Sequence, residues 1–440
     1  MRILIASQAY YPSINGQAVF TINLAEGLAR PGHQVLVVTS SEQGRAYRAR
    51  CNGVRIFALG SIALNTLHPD LFFSPLPGPA VRRAFEAFHP DIVHIQDHYP
   101  ISRAVAKTAR KYDLKVGGTN HFMPKNVAPY FPLLSDFKPG FEKLMWAWPL
   151  GLYNQLDMVT APSETAAAIM RQHGLQPPGF PISCGISLER FQPRPQADRH
   201  VLRRRFGLDP GKVTFLYIGR VDSEKRLEVL IQALHQLKRQ DIHLVVAGRG
   251  ADRHRLVDLT SQIGIECHVR FLGFVPEADK VDLLNSADVF AMPSEAELLS
   301  IATLEAMACG RPVLAARSQA LPELVDEGVN GYLFKPGDVG DAARNMTLLA
   351  GHPQRWPRMG AASLEKARGH SLEATVRKYE QIYAALRSTA QSEFDVKSRY
   401  SRDRNKHFSR NLRPSFALAW KGKIASNLLA RTGQSQKGLK

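Results

Sequence analysis

The chain has 440 residues, which suggests two or three domains, and its 44% apolar and 22% charged content is ordinary for a folded globular protein. It has no continuous apolar run of about 18 residues, which argues against a spanning helix, and MRILIASQ lacks the features of a signal peptide, so we expect a cytoplasmic protein. The cysteines are scattered without metal-ligand spacing, which argues against a zinc site or a disulfide framework: Cys51, Cys184, Cys267 and Cys309.

The net charge of +18 is concentrated near the C-terminus. Residues 397–440 carry twelve Lys and Arg and one acid, Asp403, so this segment supplies +11 and leaves +7 on the rest of the chain. A basic tail is therefore better supported than a basic globular body. Two interpretations of the tail stay open: an amphipathic helix on anionic lipid and a disordered basic segment. The helix is suggested by apolar residues at every fourth position: Phe416, Trp420, Ile424 and Leu428.

The first forty residues alternate between strand and helix patterns. RILIAS and HQVLVVTS are short β-rich apolar runs, QAYYPSING is a loop, and QAVFTINLAEGLAR has helical spacing. This β–loop–α–β order predicts a parallel sheet, to which DIVHIQ and LKVGGTN add strands.

The same pattern restarts after about residue 195. Strands are predicted at VTFLYIG, IHLVVAG, HVRFLGFV, ADVFAMPS and RPVLAA, and a helix at RLEVLIQALHQLK. We therefore predict an α/β fold of two doubly wound, Rossmann-like domains facing a cleft. The predicted parts are an N-terminal domain (1–195), a C-terminal domain (196–370), a closing helix (371–390) and a basic tail (391–440), with the interdomain linker at FQPRPQADRH.

Ligands of open parallel sheets bind beyond the carboxyl ends of the strands. The loop at 8–16 ends in Asn15-Gly16 before a helix, but it lacks GxGxxG, so this loop alone favours a plain turn. In the loop at 219–225, Arg220 and Lys225 can converge on a diphosphate or remain solvated surface cations. A lysine at a helix N-terminus, where the dipole disfavours cations, favours a nearby anion.

In the segment EAELLSIATLEAMACGRP, the acids Glu297 and Glu305 have seven residues between them. Ser300 is a suitable N-cap for the helix IATLEAMA, so Glu297 precedes the helix and Glu305 lies inside it. Eight helical residues span about 12 Å, comparable with a nucleotide sugar from hexose to ribose, and the helix N-terminus would face the diphosphate. The alternative is a loop acid and an exposed helix acid, and spacing alone does not decide.

The segment PSEAELLSIATLEAMACGRPVLAA resembles the signature of retaining family 4 glycosyltransferases of the GT-B fold. Four further segments are similar to the family in its own order, over most of residues 1–385: SINGQAVFTINLAEGLARPGHQVLVVTS, PISCGISLERFQP, FLYIGRVDSEKRLEVLIQAL and PELVDEGVNGYLFKPGD. VHIQDHYP, GGTNHFMP and ELLSIATLEAM look most like members that glycosylate lipids such as diacylglycerol.

The resemblance implies roles for the candidate residues of the donor site. At the Asn15-Gly16 turn, Gly16 would offer its backbone N–H to the donor phosphate. Arg220 and Lys225 would neutralise the diphosphate leaving group.

By the same resemblance, Glu297 would hold the transferred sugar, with the N–H groups of Leu299 and Ser300 near the phosphate, and Glu305 would bind the ribose. His121 would sit beside the sugar and position it or its developing charge, the alternative being a core histidine.

The implied enzyme is a retaining, metal-independent hexosyltransferase that uses the nucleotide sugar as a co-substrate and has no cofactor. We find no DxD-like motif, so cationic side chains and helix dipoles would stabilise the diphosphate. No paired carboxylates look placed for double displacement, and the family is thought to use front-side attack, with the leaving phosphate taking the acceptor proton. Closure of the two domains would limit donor hydrolysis.

The chain departs from the family pattern in three places. Lys125 stands where similar lipid-directed sequences often carry an acid, which bears on acceptor recognition. Leu298-Leu299-Ser300 replaces a common Gly-Phe-Gly, and Gln319-Ala320 replaces a glycine-rich turn; both bear on the geometry of the donor site.

Residues 130–150, YFPLLSDFKPGFEKLMWAWPL, are rich in aromatics interrupted by lysines. Trp146 and Trp148 suit a water–lipid boundary, and Lys138 and Lys143 suit anionic head groups, the alternative being a cover on the first domain's core. We expect a nucleotide-sugar donor, a lipid acceptor and peripheral contact with the anionic inner face of a membrane, and no specific nucleic acid.

The sequence leaves donor and acceptor open. UDP-glucose, UDP-galactose, UDP-sulfoquinovose and GDP-mannose are compatible, with UDP favoured by resemblance, and the acceptor is a lipid, a lipid-linked sugar or a soluble glycan. Three other classes were weighed. A nucleic-acid binder lacks a recognised motif, a nicotinamide-dependent dehydrogenase lacks the glycine fingerprint, and a non-catalytic sugar-nucleotide sensor would bind donor without transfer.

Overall fold

The computed structural model describes residues 1–13, 15–63, 72–124, 138–194 and 198–403, without the side chains of 138, 139, 141 and 389–403. Met1–Ala385 form one compact unit, and Leu386–Lys440 are a second. Lys125, the side chain of Lys138 and the apolar pattern predicted for the tail from Phe416 onward lie outside the described residues.

The N-terminal domain is built on an eight-stranded sheet in the order β10-β9-β8-β7-β1-β2-β4-β3. Its strands are β1 Arg2–Ala6, β2 Gln34–Ser40, β3 Tyr47–Cys51, β4 Val54–Leu59, β7 Ile92–Ile95, β8 Val116–Thr119, β9 Met158–Ala161 and β10 Gly179–Pro181. All neighbours are parallel except β3 and β4, and a separate antiparallel pair joins β5 Ile62–Ala63 to β6 Phe72–Phe73.

The C-terminal domain has a six-stranded, wholly parallel sheet in the order β13-β12-β11-β14-β15-β16. Its strands are β11 Val213–Ile218, β12 Ile242–Ala247, β13 Val269–Gly273, β14 Val289–Met292, β15 Val313–Ala316 and β16 Gly331–Phe334. Both sheets contain the strands predicted from sequence, and the α/β prediction of two Rossmann-like domains is confirmed.

Helices cover the sheets and bury the apolar strands on both faces, as parallel sheets require. Those of the N-terminal domain are α1 Gly16–Ala29, α2 Gly78–Phe88, α3 Pro100–Lys111, α4 Lys138–Tyr153 and α5 Glu164–Gln172. Those that follow are α6 Arg199–Arg205, α7 Leu227–Leu237, α8 Arg253–Gln262, α9 Glu277–Ser286, α10 Ile301–Ala308, α11 Leu321–Leu324, α12 Val339–Gly351, α13 Trp356–Arg368 and α14 Leu372–Asp403.

The last helix, α14, returns to the N-terminal domain. The Tyr379 hydroxyl lies 3.0 Å from the Thr119 hydroxyl and 2.9 Å from that of Thr160, both on strands of the first sheet. At the crossing point Gly185 has φ +72°, and a Cβ there would lie 2.9 Å from the backbone of Leu372, so glycine is needed for both reasons. α14 also runs well past residue 390, because no Gly or Pro interrupts residues 371–403.

One expectation about the aromatic segment is wrong. Trp146 is only 2% exposed and belongs to the core of the N-terminal domain, where its ring stacks on His173. Trp148, two residues later on α4, is 59% exposed, and Leu144 on the same helix is 67% exposed. Residues two apart on a helix face different sides, so only Trp148 keeps the predicted outward position.

Candidate active site

The loops after β11 and β14 lie side by side because these two strands are neighbours in the C-terminal sheet. We call residues 293–300 the donor loop. The Glu295 backbone N–H donates to the Glu224 carbonyl at 3.3 Å, which joins the donor loop to the loop at 219–225. Beneath them Tyr217, fully buried at the end of β11, donates its hydroxyl proton to the Arg220 carbonyl at 2.5 Å.

Lys225 and Glu297 form a close ion pair between these loops. Nζ of Lys225 lies 2.6 Å from Oε1 of Glu297, and each side chain is 13% exposed. The anion expected beside a lysine at a helix start is thus supplied by the Glu297 carboxylate. Burial raises the pKa of Glu297, but the Lys225 ammonium and a hydrogen bond from Ser294 outweigh it and hold the pKa below its ordinary value.

Arg220 lies on the outer side of the same group. Its guanidinium pairs with Asp222 and, at 2.6 Å, with Oε1 of Glu224. The side chain is 38% exposed, so it reaches solvent while its charge still lowers the pKa of Glu297. The structure therefore brings together three candidate residues, Arg220, Lys225 and Glu297.

The donor loop ends in the N-cap of α10. Oγ of Ser300 accepts from the Thr303 backbone N–H at 3.3 Å and from the Thr303 hydroxyl at 2.8 Å. Leu299 and Ser300 are both buried. Their N–H groups precede the first turn of an eight-residue helix, where the dipole favours negative charge.

Glu305 is buried in α10, so the alternative of an exposed helix acid is wrong. Nζ of Lys280, from α9, lies 3.3 and 3.2 Å from its two carboxylate oxygens and 2.6 Å from Oε1 of Glu277. Burial raises the pKa of Glu305 in spite of the lysine. Burial lowers the pKa of Lys280, but the carboxylates of Glu305 and Glu277 more than offset this and raise it.

The N-terminal candidates lie at the carboxyl edge of the first sheet. Asn15 caps α1, its side-chain oxygen accepting from the Ala18 N–H at 2.9 Å. A Cβ placed on Gly16 would meet no atom of the described residues within 4 Å. His121 packs against Phe20 of α1, with ring centroids 5.0 Å apart.

His121 is held by Gln96, which follows β7. Nε2 of His121 lies 3.0 Å from Oε1 of Gln96, so the ring N–H donates to the amide oxygen and Nδ1 is left as an acceptor. Burial lowers the pKa of His121 to about 3, which makes the ring neutral at pH 7. A neutral imidazole there can orient a hydroxyl but carries no positive charge.

Further buried polar groups surround His121. Asp97 accepts from the Gln8 N–H at 2.5 Å, the Gln17 amide at 2.8 Å and the Ser102 hydroxyl at 2.7 Å, and burial raises its pKa in spite of these bonds. Burial also lowers the pKa values of His94 and His98 to about 3. Four buried atoms at this edge have no hydrogen-bond partner within the described part of the chain: Oε1 of Gln8, Nδ1 of His94, Nε2 of Gln96 and Nδ1 of His98.

The candidates thus form two groups, Arg220, Lys225, Glu297 and the donor loop in one domain and Gly16 and His121 in the other. Sequence reasoning missed Lys280, which has no local signal because Glu305 is 25 residues away. It also missed Gln96 and Asp97, although VHIQDHYP places both directly after a strand.

Among the described residues, no cluster of three or more His, Cys, Asp or Glu side chains is arranged to hold a metal ion. Over the same ranges, no helix combines the length and hydropathy needed to cross a bilayer. All four cysteines are free thiols.

Two Rossmann-like domains with loops from both sheets and a cation-rich donor edge define a protein of the GT-B class. The family described as "Glycosyltransferase Family 4" matches residues 14–190, and that described as "Glycosyl transferases group 1" matches residues 198–363. The chain belongs to these GT-B glycosyltransferases, with one family in each domain.

Known relatives differ in donor and acceptor. The chain is 25% identical to alpha-monoglucosyldiacylglycerol synthase of Streptococcus pneumoniae, over 76% of this chain and 75% of the relative. It is 26% identical to sulfoquinovosyl transferase SQD2 of Arabidopsis thaliana, over 83% and 70%. It is also 25% identical to a GDP-mannose-dependent alpha-mannosyltransferase of Corynebacterium glutamicum, over 89% and 90%.

The fold is shared with solved structures at lower identity. Anabaena HepE in complex with UDP-glucose superposes with a TM-score of 0.70 at 21% identity, covering 88% of this chain and all of that one. Sucrose-phosphate synthase from Thermosynechococcus elongatus gives a TM-score of 0.72 at 21% identity, covering 88% and 99%.

Proposed function

We propose that the protein is a retaining, metal-independent hexosyltransferase. It moves a hexose from a nucleotide-diphosphate sugar, with UDP favoured, to a membrane lipid such as diacylglycerol or a glycolipid. Family membership supports the transferase class. The UDP complexes of HepE support a UDP sugar, and the names of two relatives support a lipid acceptor.

The observation that carries the donor site is the Lys225–Glu297 pair at the carboxyl edge of the C-terminal sheet. A diphosphate that enters beside Lys225 would compete for its ammonium group. Glu297 would then be released to accept hydrogen bonds from the hydroxyl groups of the hexose. The two residues of this ion pair would therefore bind the two sides of the sugar–phosphate linkage, Lys225 the diphosphate and Glu297 the hexose.

The transfer step follows from these groups. The bond between the anomeric carbon and the diphosphate oxygen breaks, and its electron pair stays on the phosphate. Arg220, Lys225 and the N–H groups of Leu299 and Ser300 stabilise the charge that develops there. The acceptor hydroxyl attacks from the same face, and its proton passes to the leaving phosphate. Glu305 would hold the ribose.

The N-terminal edge would contact both the donor phosphate and the transferred sugar. Gly16 would offer its backbone N–H to the phosphate, and Nδ1 of the neutral His121 would accept a hydrogen bond from the sugar. On the surface of α4, exposed Leu144 and Trp148 stand beside exposed Lys143, a combination suited to a lipid boundary. We therefore propose peripheral contact with a membrane through this helix.

The test uses full-length protein with radiolabelled UDP-glucose, UDP-galactose, UDP-sulfoquinovose or GDP-mannose and vesicles that contain diacylglycerol. Label is then counted in the organic phase, with Glu297→Ala as the control. We expect one donor to label lipid and the variant to abolish the signal.

Other outcomes separate the alternatives. If label is transferred only to a soluble glycan, the acceptor is a soluble glycan and not a lipid. Donor binding without any transfer would indicate a non-catalytic sugar-nucleotide sensor.

A further inference from the structure

The donor loop is attached to its own domain on one side. The Ala320 N–H donates to the Glu297 carbonyl at 3.1 Å, and the Ser318 hydroxyl donates to the Glu295 carbonyl at 3.0 Å. Both partners come from the turn after β15, so this side of the loop moves with the C-terminal sheet.

On its other side the donor loop is bonded to the N-terminal domain. Oγ of Ser163 donates to the Leu298 carbonyl at 2.6 Å, in a buried contact. The same oxygen accepts from the Ala166 N–H at 3.1 Å and so caps α5. The Ser163 hydroxyl thus both donates and accepts, and its proton is directed to the donor loop.

Apolar packing strengthens this attachment. Leu298 and Ala296, both under 9% exposed, belong to a core cluster whose other members, among the described residues, all come from the N-terminal domain. The Leu298 side chain therefore packs in the N-terminal core although its backbone belongs to the donor loop.

A third contact closes the same junction. Oε2 and Oε1 of Glu323, from α11, accept from the backbone N–H groups of Glu164 at 3.2 Å and Thr165 at 2.7 Å. A carboxylate at a helix N-terminus is favoured by the helix dipole. The start of α5 therefore contacts the C-terminal domain at two points.

The contact at Leu298 has a geometric consequence for Leu299. The carbonyl of Leu298 and the N–H of Leu299 belong to one planar trans peptide, so they point in opposite directions. A hydrogen bond that fixes the carbonyl also fixes the direction of the N–H. Ser163 therefore holds the carbonyl side of the peptide group whose N–H, that of Leu299, is expected to donate a hydrogen bond to the phosphate.

We propose that Ser163 and Leu298 are positioning residues, which aim the Leu299 N–H at the donor diphosphate when the two domains are docked. This inference rests on the proposed function, because it assigns the group that the N–H meets. It makes an N-terminal residue, remote in sequence, responsible for donor affinity.

The experiment compares full-length Ser163→Ala, Leu298→Ala and the conservative Ser163→Thr, which keeps the hydroxyl and is also a good N-cap. UDP affinity is measured by titration calorimetry. Hydrogen exchange of amides 294–300 is followed in the free protein. Asp338→Ala, which removes the cap of the distant helix α12, controls for the loss of a cap.

We expect Ser163→Ala to weaken UDP binding about tenfold. The buried Leu298 carbonyl loses its hydrogen-bond donor, so the Leu299 N–H is no longer held towards the diphosphate. Exchange of amides 294–300 should accelerate in Ser163→Ala and Leu298→Ala. Ser163→Thr and Asp338→Ala should match the wild type in both measurements. Should Ser163→Ala fold poorly, Leu298→Ala provides the same test.

Failure of the inference is distinguishable from failure of the proposed function. A wild type that binds no nucleotide would refute the donor site, whereas the exchange measurement needs no ligand and still reports on positioning. A wild type that binds UDP, together with alanine variants unchanged in affinity and exchange, would overturn the inference alone. An equal loss of affinity in Asp338→Ala would reduce the effect to general stability and also overturn it.

Discussion

The two sheets end in edges of opposite character. At the C-terminal edge, charges are matched in close pairs, Lys225 with Glu297 and Lys280 with Glu305. At the N-terminal edge, buried histidines are neutral, and Asp97 is surrounded by hydrogen-bond donors instead of a cation.

Both edges belong to the same kind of fold, so the difference comes from side chains and not from architecture. Paired cations suit a ligand that brings its own negative charge and can take a partner's place. Neutral imidazoles and amides suit hydroxyl groups. One architecture, used twice, therefore presents matched charges at one edge and neutral polar groups at the other.

The largest effect should come from removing the charge of Glu297. Glu297→Gln keeps the shape of the side chain but leaves Lys225 without its carboxylate. We expect kcat for sugar transfer to fall by about a hundredfold to a thousandfold, the range seen when a transition-state contact is lost. Initial rates at saturating donor provide the measurement.

The matched control is Glu295→Gln in the same loop, where the acid is 36% exposed and pairs with Arg226 at 3.2 Å. An exposed pair contributes little, so its rate should stay near wild type. Equal losses in both variants would contradict a specific role for Glu297.

The neutral histidines of the N-terminal edge should make the free energy of unfolding fall at low pH. The pKa of His98 is about 3 in the folded protein against 6.5 in the unfolded chain, so its contribution is complete above pH 6.5 and is lost as the pH falls towards 3. In His98→Phe the fall in the free energy of unfolding from pH 6.5 to pH 5 should be smaller by about 1.5 kcal/mol.

Urea unfolding at both pH values measures this difference. The readout is the pH dependence and not the absolute stability, because the larger ring also changes packing. Identical pH dependence in the two proteins would mean that His98 is not held neutral.

A smaller effect is expected at Lys280. Lys280→Met leaves Glu305 buried without its cation, so the pKa of Glu305 should rise further and UDP affinity should fall about tenfold, the equivalent of one charge-assisted hydrogen bond. The loss should shrink as the pH is raised, because the carboxylate is then restored.

Titration calorimetry with UDP at several pH values checks this. Lys366→Met is the control, since Lys366 pairs with the exposed Asp326 at 2.8 Å on the surface. A pH-independent loss in Lys280→Met would argue that the lysine itself, and not Glu305, meets the nucleotide.

The smallest effect concerns the turn that supports the donor loop. Gln319, where similar sequences have a glycine-rich turn, has φ +49°, a left-handed conformation that costs a residue with a Cβ about 1 kcal/mol. Gln319→Gly should raise the free energy of unfolding by less than about 1 kcal/mol, since glycine also gains freedom in the unfolded chain. Thermal unfolding is sensitive enough, and a lower midpoint would contradict the argument.

Much of the fold could be predicted because parallel strands covered on both faces appear as continuous apolar runs, as in VTFLYI and IHLVVA. The edge strand Tyr47–Cys51 was missed because its residues YRARC are mostly exposed and polar. The three-residue strand Gly179–Pro181 is too short to give a pattern.

Within the candidate site, residue types could be predicted but their partners could not. Arg220, Lys225 and Glu297 were found by position after strands and by resemblance. The partnership of Lys225 with Glu297 spans 72 residues, and no local pattern encodes such a contact. Trp146 shows the same limit, since composition identifies an aromatic segment but not which ring turns inward.

The return of α14 to the first sheet has a consequence for synthesis. The N-terminal domain leaves the ribosome first, yet Tyr379 and Tyr383, both fully buried, are among the last residues of the compact unit to emerge. Until they arrive, the hydroxyls of Thr119 and Thr160 lack the contact with Tyr379. The N-terminal domain can therefore complete its packing only after the C-terminal domain has been synthesised. A fragment that ends at the domain linker should lack the contacts of α14 and leave the surface at Thr119 and Thr160 uncovered.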